Sequence, residues 1–171
     1  MNNAGVVQSG PVETFSEQDW DQVFAVNSKG IFLMAKAALD ALTVSTDAAI
    51  VNTASIAGKK GVRNMVAYCG SKFAAIGITQ SLAIEFAPRN IRVNAICPGI
   101  VGTAMWLEHL LPSNESNESE KKRHFEDTVS KVIPLNRPQS AEDMADAALY
   151  LATARNITGV ALTIAGGMEM N

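Results

Sequence analysis

Short apolar segments alternate with long helical patterns after residue 47, and this alternation constrains the fold more than any other feature of the sequence. Helical patterns occupy 64–87, which Pro88 ends, and 140–153. Continuous apolar runs that end in small or polar residues are typical of strands covered on both faces. Three such runs are present, AAIVNTAS (48–55), IRVNAICPG (91–99) and GVALTIAGG (159–167). The order strand, helix, strand, helix, strand predicts right-handed crossovers on a parallel sheet, and therefore an α/β fold.

The first part of the chain predicts two more helices and the end of another strand. Ser16 is a good N-cap residue, and Asp19 follows it at the spacing of a capping box. The segment GIFLMAKAALDAL (30–42) predicts a largely buried helix, and NNAG (2–5) resembles a strand end that turns at Gly5. A chain of 171 residues without internal repeats is of the right size for one domain, so we expect 1–171 to form a single domain.

One region, about 103–130, interrupts the alternation. The segment LPSNESNESEKKR (111–123) is polar and predicts a solvated loop, and AMWLEHLL (104–111) before it is amphipathic and contains Trp106. An insertion after the carboxyl end of a strand often forms a lid over a site, so we predict a lid here. The alternative is a surface flap with an ordinary packed tryptophan. We interpret His109 and His124 as solvated side chains.

Composition excludes several classes of function. The net charge of −3 offers no basic surface to nucleic acid, and no apolar run is long enough to span a membrane. The N-terminal residues lack the pattern of a signal peptide, so a cytoplasmic protein is expected. Cys69 and Cys97 have neither disulfide-framework nor zinc-site spacing, and we interpret them as packed side chains in a protein without a metal site.

Small and polar residues follow the predicted strands where those strands end. Ser55 follows one strand, Pro98 and Gly99 follow the next, and Tyr68 and Lys72 lie in the first turns of the helix after Ser55. Ligands of open parallel sheets bind beyond the carboxyl ends of the strands. The sequence therefore predicts a site that contains Ser55, Tyr68 and Lys72.

The spacing of Tyr68 and Lys72 suggests a proton-transfer pair. Residues four apart share one face of a helix. To act as a base near neutral pH, a tyrosine needs its pKa lowered by about three units, which corresponds to about 4 kcal/mol. A nearby cation in a desolvated site stabilises the ionised phenol by an energy of about that size. We therefore predict that Lys72 lowers the pKa of Tyr68. Ser55 has no histidine partner or G-x-S-x-G context, so it suits hydrogen bonding to a substrate oxygen.

Ordered motifs over nearly the whole chain resemble the short-chain dehydrogenase/reductase family. The resemblance implies a Rossmann-like, doubly wound parallel sheet and hydride transfer between NAD or NADP and an alcohol or ketone. The motifs are NNAG (2–5), FAVNSKGIF (24–32), VNTASIAG (51–58), YCGSK (68–72), PGIVGTAM (98–105) and ITGVALTIAGG (157–167).

The resemblance also implies roles for individual residues. Tyr68 would be the general acid/base on the substrate oxygen, Lys72 would lower its pKa and bind the nicotinamide ribose, and Ser55 would orient the substrate. Asn27 would complete the catalytic set by holding a water that links Lys72 to solvent. The implied cofactor-binding residues are Asn3, Ala4, Gly5, Tyr68, Lys72, Pro98, Gly99, Val101 and Thr103.

The chain departs from the family in lacking a glycine-rich phosphate loop. No G-x-G-x-x-G or T-G-x-x-x-G-x-G pattern occurs in it, and the first strands of the family's sheet have no counterpart. We therefore expect a truncated sheet with an open edge at 48–53 and weak dinucleotide binding by this chain alone. The choice between NAD and NADP stays open. Ala165 replaces an acidic residue that many relatives have before the Gly-Gly pair, which weakens the expected C-terminal contacts.

Two interpretations of the function follow. The first is the catalytic half of an oxidoreductase for a small polyol, hydroxyketone or sugar-like alcohol, with homo-oligomers implied by the family. The second is a non-catalytic module that associates through the helices at 30–42 and 64–87. The small residues expected at that contact are Gly70, Ala74, Ala75 and Gly77.

Overall fold

The computed structural model describes residues 1–103, 105–106 and 118–170, and its centre is a parallel sheet of three strands in the order β1-β2-β3. The strands are β1 (Ala48–Thr53), β2 (Ile91–Pro98) and β3 (Ala161–Ile164). Ala48 lies opposite Ile91, and Ala95 lies opposite Ala161. The predicted parallel α/β fold is therefore confirmed, and β2, the longest apolar run, is buried along all but its last residue.

Helices flank the sheet and begin at the predicted caps. Ser16 accepts a hydrogen bond from the backbone of Asp19, and Ser140 forms a capping box with Asp143. Pro88 lies in a single 3₁₀ turn directly after α3. The α-helices are α1 (Glu17–Phe24), α2 (Gly30–Thr43), α3 (Val66–Phe86), α4 (Glu118–Val132) and α5 (Ala141–Thr153). A π-helical turn (Ala25–Lys29) joins α1 to α2, and 3₁₀ turns occupy Ile56–Gly58 and Ala87–Arg89.

Both faces of the sheet are covered, as crossover connections require. Ile50 of β1 and Val93 of β2 pack with Phe86 of α3 and with α2 on one face. Val51 of β1 and Ile96 of β2 have side chains that point to the opposite face of the sheet, where they pack with side chains of α5. This two-sided burial stabilises the sheet and leaves its carboxyl edge for the site.

The N-terminal residues pair with the outer edge of β1. The backbone N–H of Asn2 donates to Val51 over 2.8 Å, and the N–H of Thr53 donates to Asn2 over 2.9 Å. This bridge fits the prediction that NNAG (2–5) is the end of a strand, and it carries Asn3 and Gly5 to the carboxyl end of β1. Before the bridge, β1 is an edge strand within the described residues.

Two expectations need correction. The polar residues from 118 to 123 begin α4 instead of continuing a loop, because Val129 and Phe125 pack inward and an i,i+4 ion pair of Lys131 with Asp127 lies on the outside. The second expectation placed Gly70 and Ala75 at a contact with another chain, but both face the interior of the domain. A Cβ on Gly70 would lie 3.2 Å from Phe24, and Ala75 is fully buried.

Part of the predicted lid, 104 and 107–117 with His109, lies outside the described residues. Among the residues that the structure describes, no helix is both long and apolar enough to cross a membrane.

Candidate active site

Ser55 lies where the chain leaves β1 and turns toward α3. The backbone N–H of Ala54 still donates to Ile96 of β2 over 2.8 Å, and Ser55 is extended, with φ −174° and ψ 162°. Its Oγ accepts a hydrogen bond from the N–H of Ala57 over 3.1 Å, so Ser55 caps the 3₁₀ turn that follows. The strand and the turn together hold this hydroxyl at the carboxyl edge of the sheet.

Gly58 allows the turn after Ser55 to pack directly on the backbone of α3. A Cβ built at Gly58 would lie 2.6 Å from the carbonyl oxygen of Lys72, a distance that no side chain tolerates. Ser55 and the first turns of α3 therefore come together because position 58 lacks a side chain. In the sequence this glycine is recognisable only as part of a motif, and its role follows from the packing.

Tyr68 is almost completely buried near the start of α3, and its environment differs from the prediction. Burial raises the pKa of Tyr68 above its usual value, and hydrogen bonding with the Ser55 side chain lowers it by less. The prediction that Lys72 lowers the pKa of Tyr68 in this chain is therefore wrong. Desolvation is the largest cause, and Lys72, whose Nζ lies 5.6 Å from the centre of the Tyr68 ring, donates its hydrogen bond to Thr53 instead.

Lys72 is a buried ammonium beside the carboxyl end of β1. Its Nζ donates to the carbonyl oxygen of Thr53 over 2.8 Å, and only 4% of the residue is exposed. Burial lowers the pKa of Lys72 to about 8. A Cβ at Gly5 would lie 3.5 Å from the same Nζ, so the N-terminal turn passes directly beside this group.

Asn27 joins the N-terminal segment to α3 from the π-helical turn. Its Oδ1 accepts from the N–H of Val6 over 2.9 Å, and its Nδ2 donates to the carbonyl of Val6 over 2.9 Å and to Ser71 Oγ over 3.0 Å. Ser71 in turn donates to the carbonyl of Tyr68 over 2.8 Å. The Asn27 amide therefore supports the helical turn that carries Tyr68, and a role in binding water stays a prediction.

A cavity of about 590 Å³ opens in front of these groups. Asn27 and Ala4 do not line it, and Asn27 lies behind Gly5. The other predicted site residues all line it: Asn3, Gly5, Ser55, Tyr68, Lys72, Pro98, Gly99, Val101 and Thr103. The structure thus brings the ends of β1 and β2, the N-terminal turn and the start of α3 to one cavity.

Two lysines after Ser55 were missed by sequence analysis. Lys59 donates to the carbonyl of Ala161 over 2.9 Å and to Thr163 Oγ1 over 2.8 Å, which ties the Ser55 turn to β3. Lys60 forms an ion pair with Glu169 over 2.8 Å. The pair KK directly after the serine turn was the available signal, but their partners are about a hundred residues further along the chain. Cys69 and Cys97 are buried, as expected for packed side chains.

The cavity fits the nicotinamide half of a dinucleotide. Lys72 and Asn3 offer polar groups suited to ribose hydroxyls, and the turn from Pro98 to Val101 offers a small, largely apolar surface suited to a flat ring. No glycine-rich loop for a pyrophosphate occurs in the sequence, and Lys72 is the only charged side chain among the described residues that line the cavity. These residues therefore suit the nicotinamide and its ribose but not the phosphates.

Comparisons with known proteins identify the family of the chain. A sequence model of the family described as enoyl-(acyl carrier protein) reductase matches residues 1–169. The chain is 36% identical over 98% of its length to inactive 2-(S)-hydroxypropyl-CoM dehydrogenase 2 of Xanthobacter autotrophicus, of which it covers 71%. It is 37% identical over 100% of its length to L-2,3-butanediol dehydrogenase of Corynebacterium glutamicum, of which it covers 67%.

Solved structures give the same result. The 3-ketoacyl-(acyl-carrier-protein) reductase of Brucella melitensis, solved with NADH, superposes with a TM-score of 0.84 at 28% identity, over 99% of this chain and 66% of that one. The chain belongs to the short-chain dehydrogenase/reductase family, which confirms the resemblance. It spans from 61% to 71% of the length of the curated relatives that it matches.

Proposed function

We propose that this chain is the catalytic half of an NAD(P)-dependent oxidoreductase that interconverts a small secondary alcohol and its ketone. The observation that carries the proposal is the meeting of Ser55, Tyr68 and Lys72 at one cavity, where the Ser55 side chain acts to lower the pKa of the Tyr68 phenol. Polyols and hydroxyketones, predicted from the sequence, and the diol named in one relative fall within this class.

The roles follow from the contacts of the chain. Tyr68 donates its phenolic proton to the substrate oxygen during ketone reduction and accepts it back during alcohol oxidation. Ser55 holds that oxygen against the phenol by hydrogen bonding. Lys72 binds the ribose hydroxyls with the N–H groups that Thr53 does not use. The nicotinamide supplies or accepts the hydride, which these side chains cannot do.

The raised pKa of Tyr68 favours one direction of reaction. A phenol whose pKa is raised by burial stays protonated at neutral pH, and this is the form that donates to a ketone. Alcohol oxidation needs the ionised phenol, so we expect its rate to increase with pH. The positive charge of a bound oxidised nicotinamide ring would favour this ionised form. Ketone reduction therefore starts from the form of Tyr68 that predominates at neutral pH.

The test uses the two tyrosines of the chain as a matched pair. Tyr68 is buried at the site, whereas Tyr150 is 54% exposed on α5. Reduction of acetoin is followed by loss of nicotinamide absorbance, with NADH, NADPH or reduced nicotinamide mononucleotide as donor. We expect Tyr68→Phe to lower the rate by about a hundredfold or more, the usual contribution of a general acid, and Tyr150→Phe to leave it unchanged. Equal rates for Tyr68→Phe and the parent chain contradict the proposal.

The expected weak dinucleotide binding has its own measurement. Because the described cavity offers contacts only to the nicotinamide and ribose, we expect NADH and the mononucleotide to bind with similar, low affinity. Nicotinamide fluorescence on titration of the chain measures both. Saturable micromolar binding of NADH alone contradicts this expectation.

A non-catalytic module is the second candidate, and one feature of the surface favours it. Phe32 and Phe73, on α2 and α3, are 49% and 47% exposed, and a Cβ on Gly77 of α3 would meet no atom. Such an apolar helical face suits association with another chain. One relative is also named inactive. Sedimentation of the parent and Phe73→Asp chains, together with the ketone-reduction assay, separates the two candidates. A non-catalytic module requires an oligomer that depends on concentration and is lost in Phe73→Asp. It also requires that the parent chain does not reduce the ketone.

A further inference from the structure

We propose that the cavity beside Tyr68 selects neutral ketones and alcohols with apolar substituents. This inference rests on the proposed function, and it narrows the substrate class within it. Its basis is the predominance of apolar side chains among the described residues that line the cavity.

Apart from the indole of Trp106, six side chains of the described lining are polar. They are Asn3, Thr53, Ser55, Tyr68, Lys72 and Thr103. Two of them already bind each other, since Thr53 Oγ1 donates to Asn3 Oδ1 over 2.9 Å. No carboxylate, guanidinium, imidazole or second lysine occurs among the described lining residues, so Lys72 is the one cationic side chain there.

The lining also contains large apolar side chains that we call the apolar wall and define as Val62, Met65, Met105, Trp106 and Met168. Met65 and Met105 pack against the buried cluster of Tyr68 and Ala57, so the wall begins at the reacting phenol. Trp106 and Met168 belong to the next cluster, around Ile100 and Ile133. The indole N–H of Trp106 is the only strong hydrogen-bond donor in the wall.

Contacts outside the cavity hold the wall in position. Lys60 donates to the carbonyl of Met168 over 3.3 Å and pairs with Glu169, which fixes the C-terminal segment next to the Ser55 turn. The Trp106 ring contacts the edge of Phe125 at 5.6 Å between ring centres. Unbranched methionine side chains on this support adapt to apolar groups of different shape.

The chemistry of the wall sets the selectivity. Each CH₂ group that moves from water onto the wall raises affinity by about fourfold. A substrate hydroxyl placed against the wall loses its water partners without replacement, which lowers affinity by about tenfold for each hydroxyl. One hydroxyl beside the reacting carbon can still reach the polar groups around Ser55, but a chain of hydroxyls cannot. We therefore expect an apolar ketone or a simple hydroxyketone to bind in preference to a sugar-like polyol.

Methyl-labelled methionine provides a test that does not depend on catalysis. The chain has seven methionines, of which Met65, Met105 and Met168 are in the wall, while Met34 and Met170 are 56% and 81% exposed outside the cavity. The labelled 171-residue chain is titrated with 2-hexanone, 2-octanone and L-erythrulose, and methyl resonances are assigned with single Met→Leu variants. We expect the wall methyls to shift saturably with the two alkyl ketones, about sixteenfold tighter for 2-octanone. Met34 and Met170 should not shift.

The proposal is contradicted if L-erythrulose shifts the wall methyl resonances at concentrations equal to or lower than those needed for the alkyl ketones. It is also contradicted if neither alkyl ketone shifts them. Met65→Gln places an amide in the wall and is expected to weaken 2-octanone binding by about tenfold, whereas Met34→Gln on the exposed face of α2 should not. Equal weakening by both variants also contradicts it. Alkyl-ketone binding without any nicotinamide oxidation would refute the proposed function and leave this binding preference intact.

Discussion

Lys72→Met is expected to make the chain more stable at neutral pH, although it removes a residue of the proposed catalytic set. Burial lowers the pKa of Lys72 from 10.5 to about 8. Each pKa unit corresponds to about 1.4 kcal/mol, so the buried ammonium lowers the free energy of unfolding by about 3 kcal/mol at pH 7. Methionine has a similar length and no charge, and its substitution loses the hydrogen bond to Thr53, worth about 1 kcal/mol. The net gain at pH 7 is about 2 kcal/mol.

The pH dependence of this gain has a definite sign. Below the folded pKa of about 8, both the folded and the unfolded chain bind the Lys72 proton, and the full penalty applies. Between about 8 and 10.5 the unfolded chain binds more protons, so the penalty decreases as pH rises and disappears above 10.5. The stabilisation by Lys72→Met should therefore fall to about zero near pH 10.

Urea unfolding followed by circular dichroism at pH 7 and pH 10 measures this difference. Lys36→Met is the matched control, because Lys36 is exposed on α2; its effect should stay within about 0.5 kcal/mol at both pH values. A Lys72→Met chain that is less stable than its parent at pH 7, or a difference that is the same at both pH values, refutes the reasoning. The expected result would mean that the site keeps its cation at the expense of stability.

Three further substitutions test how the site is supported, each measured by urea unfolding. Arg92→Met removes a buried guanidinium that donates to Asp47 and to the carbonyls of Leu151, Ala152 and Ala154. This substitution should lower the free energy of unfolding by about 2–4 kcal/mol, whereas Arg155→Met, at an exposed position, should not. Thr79→Val leaves the buried Asn52 amide without its 2.9 Å acceptor and should cost about 1–3 kcal/mol, in contrast to Thr43→Val on an exposed helix end; equal effects contradict this. Gly58→Ala forces the Ser55 turn away from Lys72 and should cost about 1–3 kcal/mol and reduce ketone reduction, whereas Gly61→Ala, where a Cβ meets nothing, should do neither.

Local rules of sequence determined the elements and the positions of the main site residues. The apolar runs predicted all three strands, Ser16 and Ser140 marked helix starts, and the rule for parallel sheets led from strand ends to Ser55 and to the Tyr68–Lys72 pair. These features depend on residues within one or two turns of each other, so a single sequence contains the information. The start of α4 was missed because a polar segment reveals its helical state only through the packing of Phe125 and Val129.

Tertiary structure alone decided the electrostatics and the character of the cavity. The pKa of Tyr68 depends on what covers the phenol, and the covering groups come from several segments, so spacing to Lys72 gave the wrong direction. The bond of Lys59 to Thr163 and the presence of Met168 and Tyr68 in the lining of one cavity bring together residues about a hundred positions apart, and no local pattern encodes them. Desolvation depends on the packing of the whole chain, whereas a helical repeat depends only on neighbouring residues.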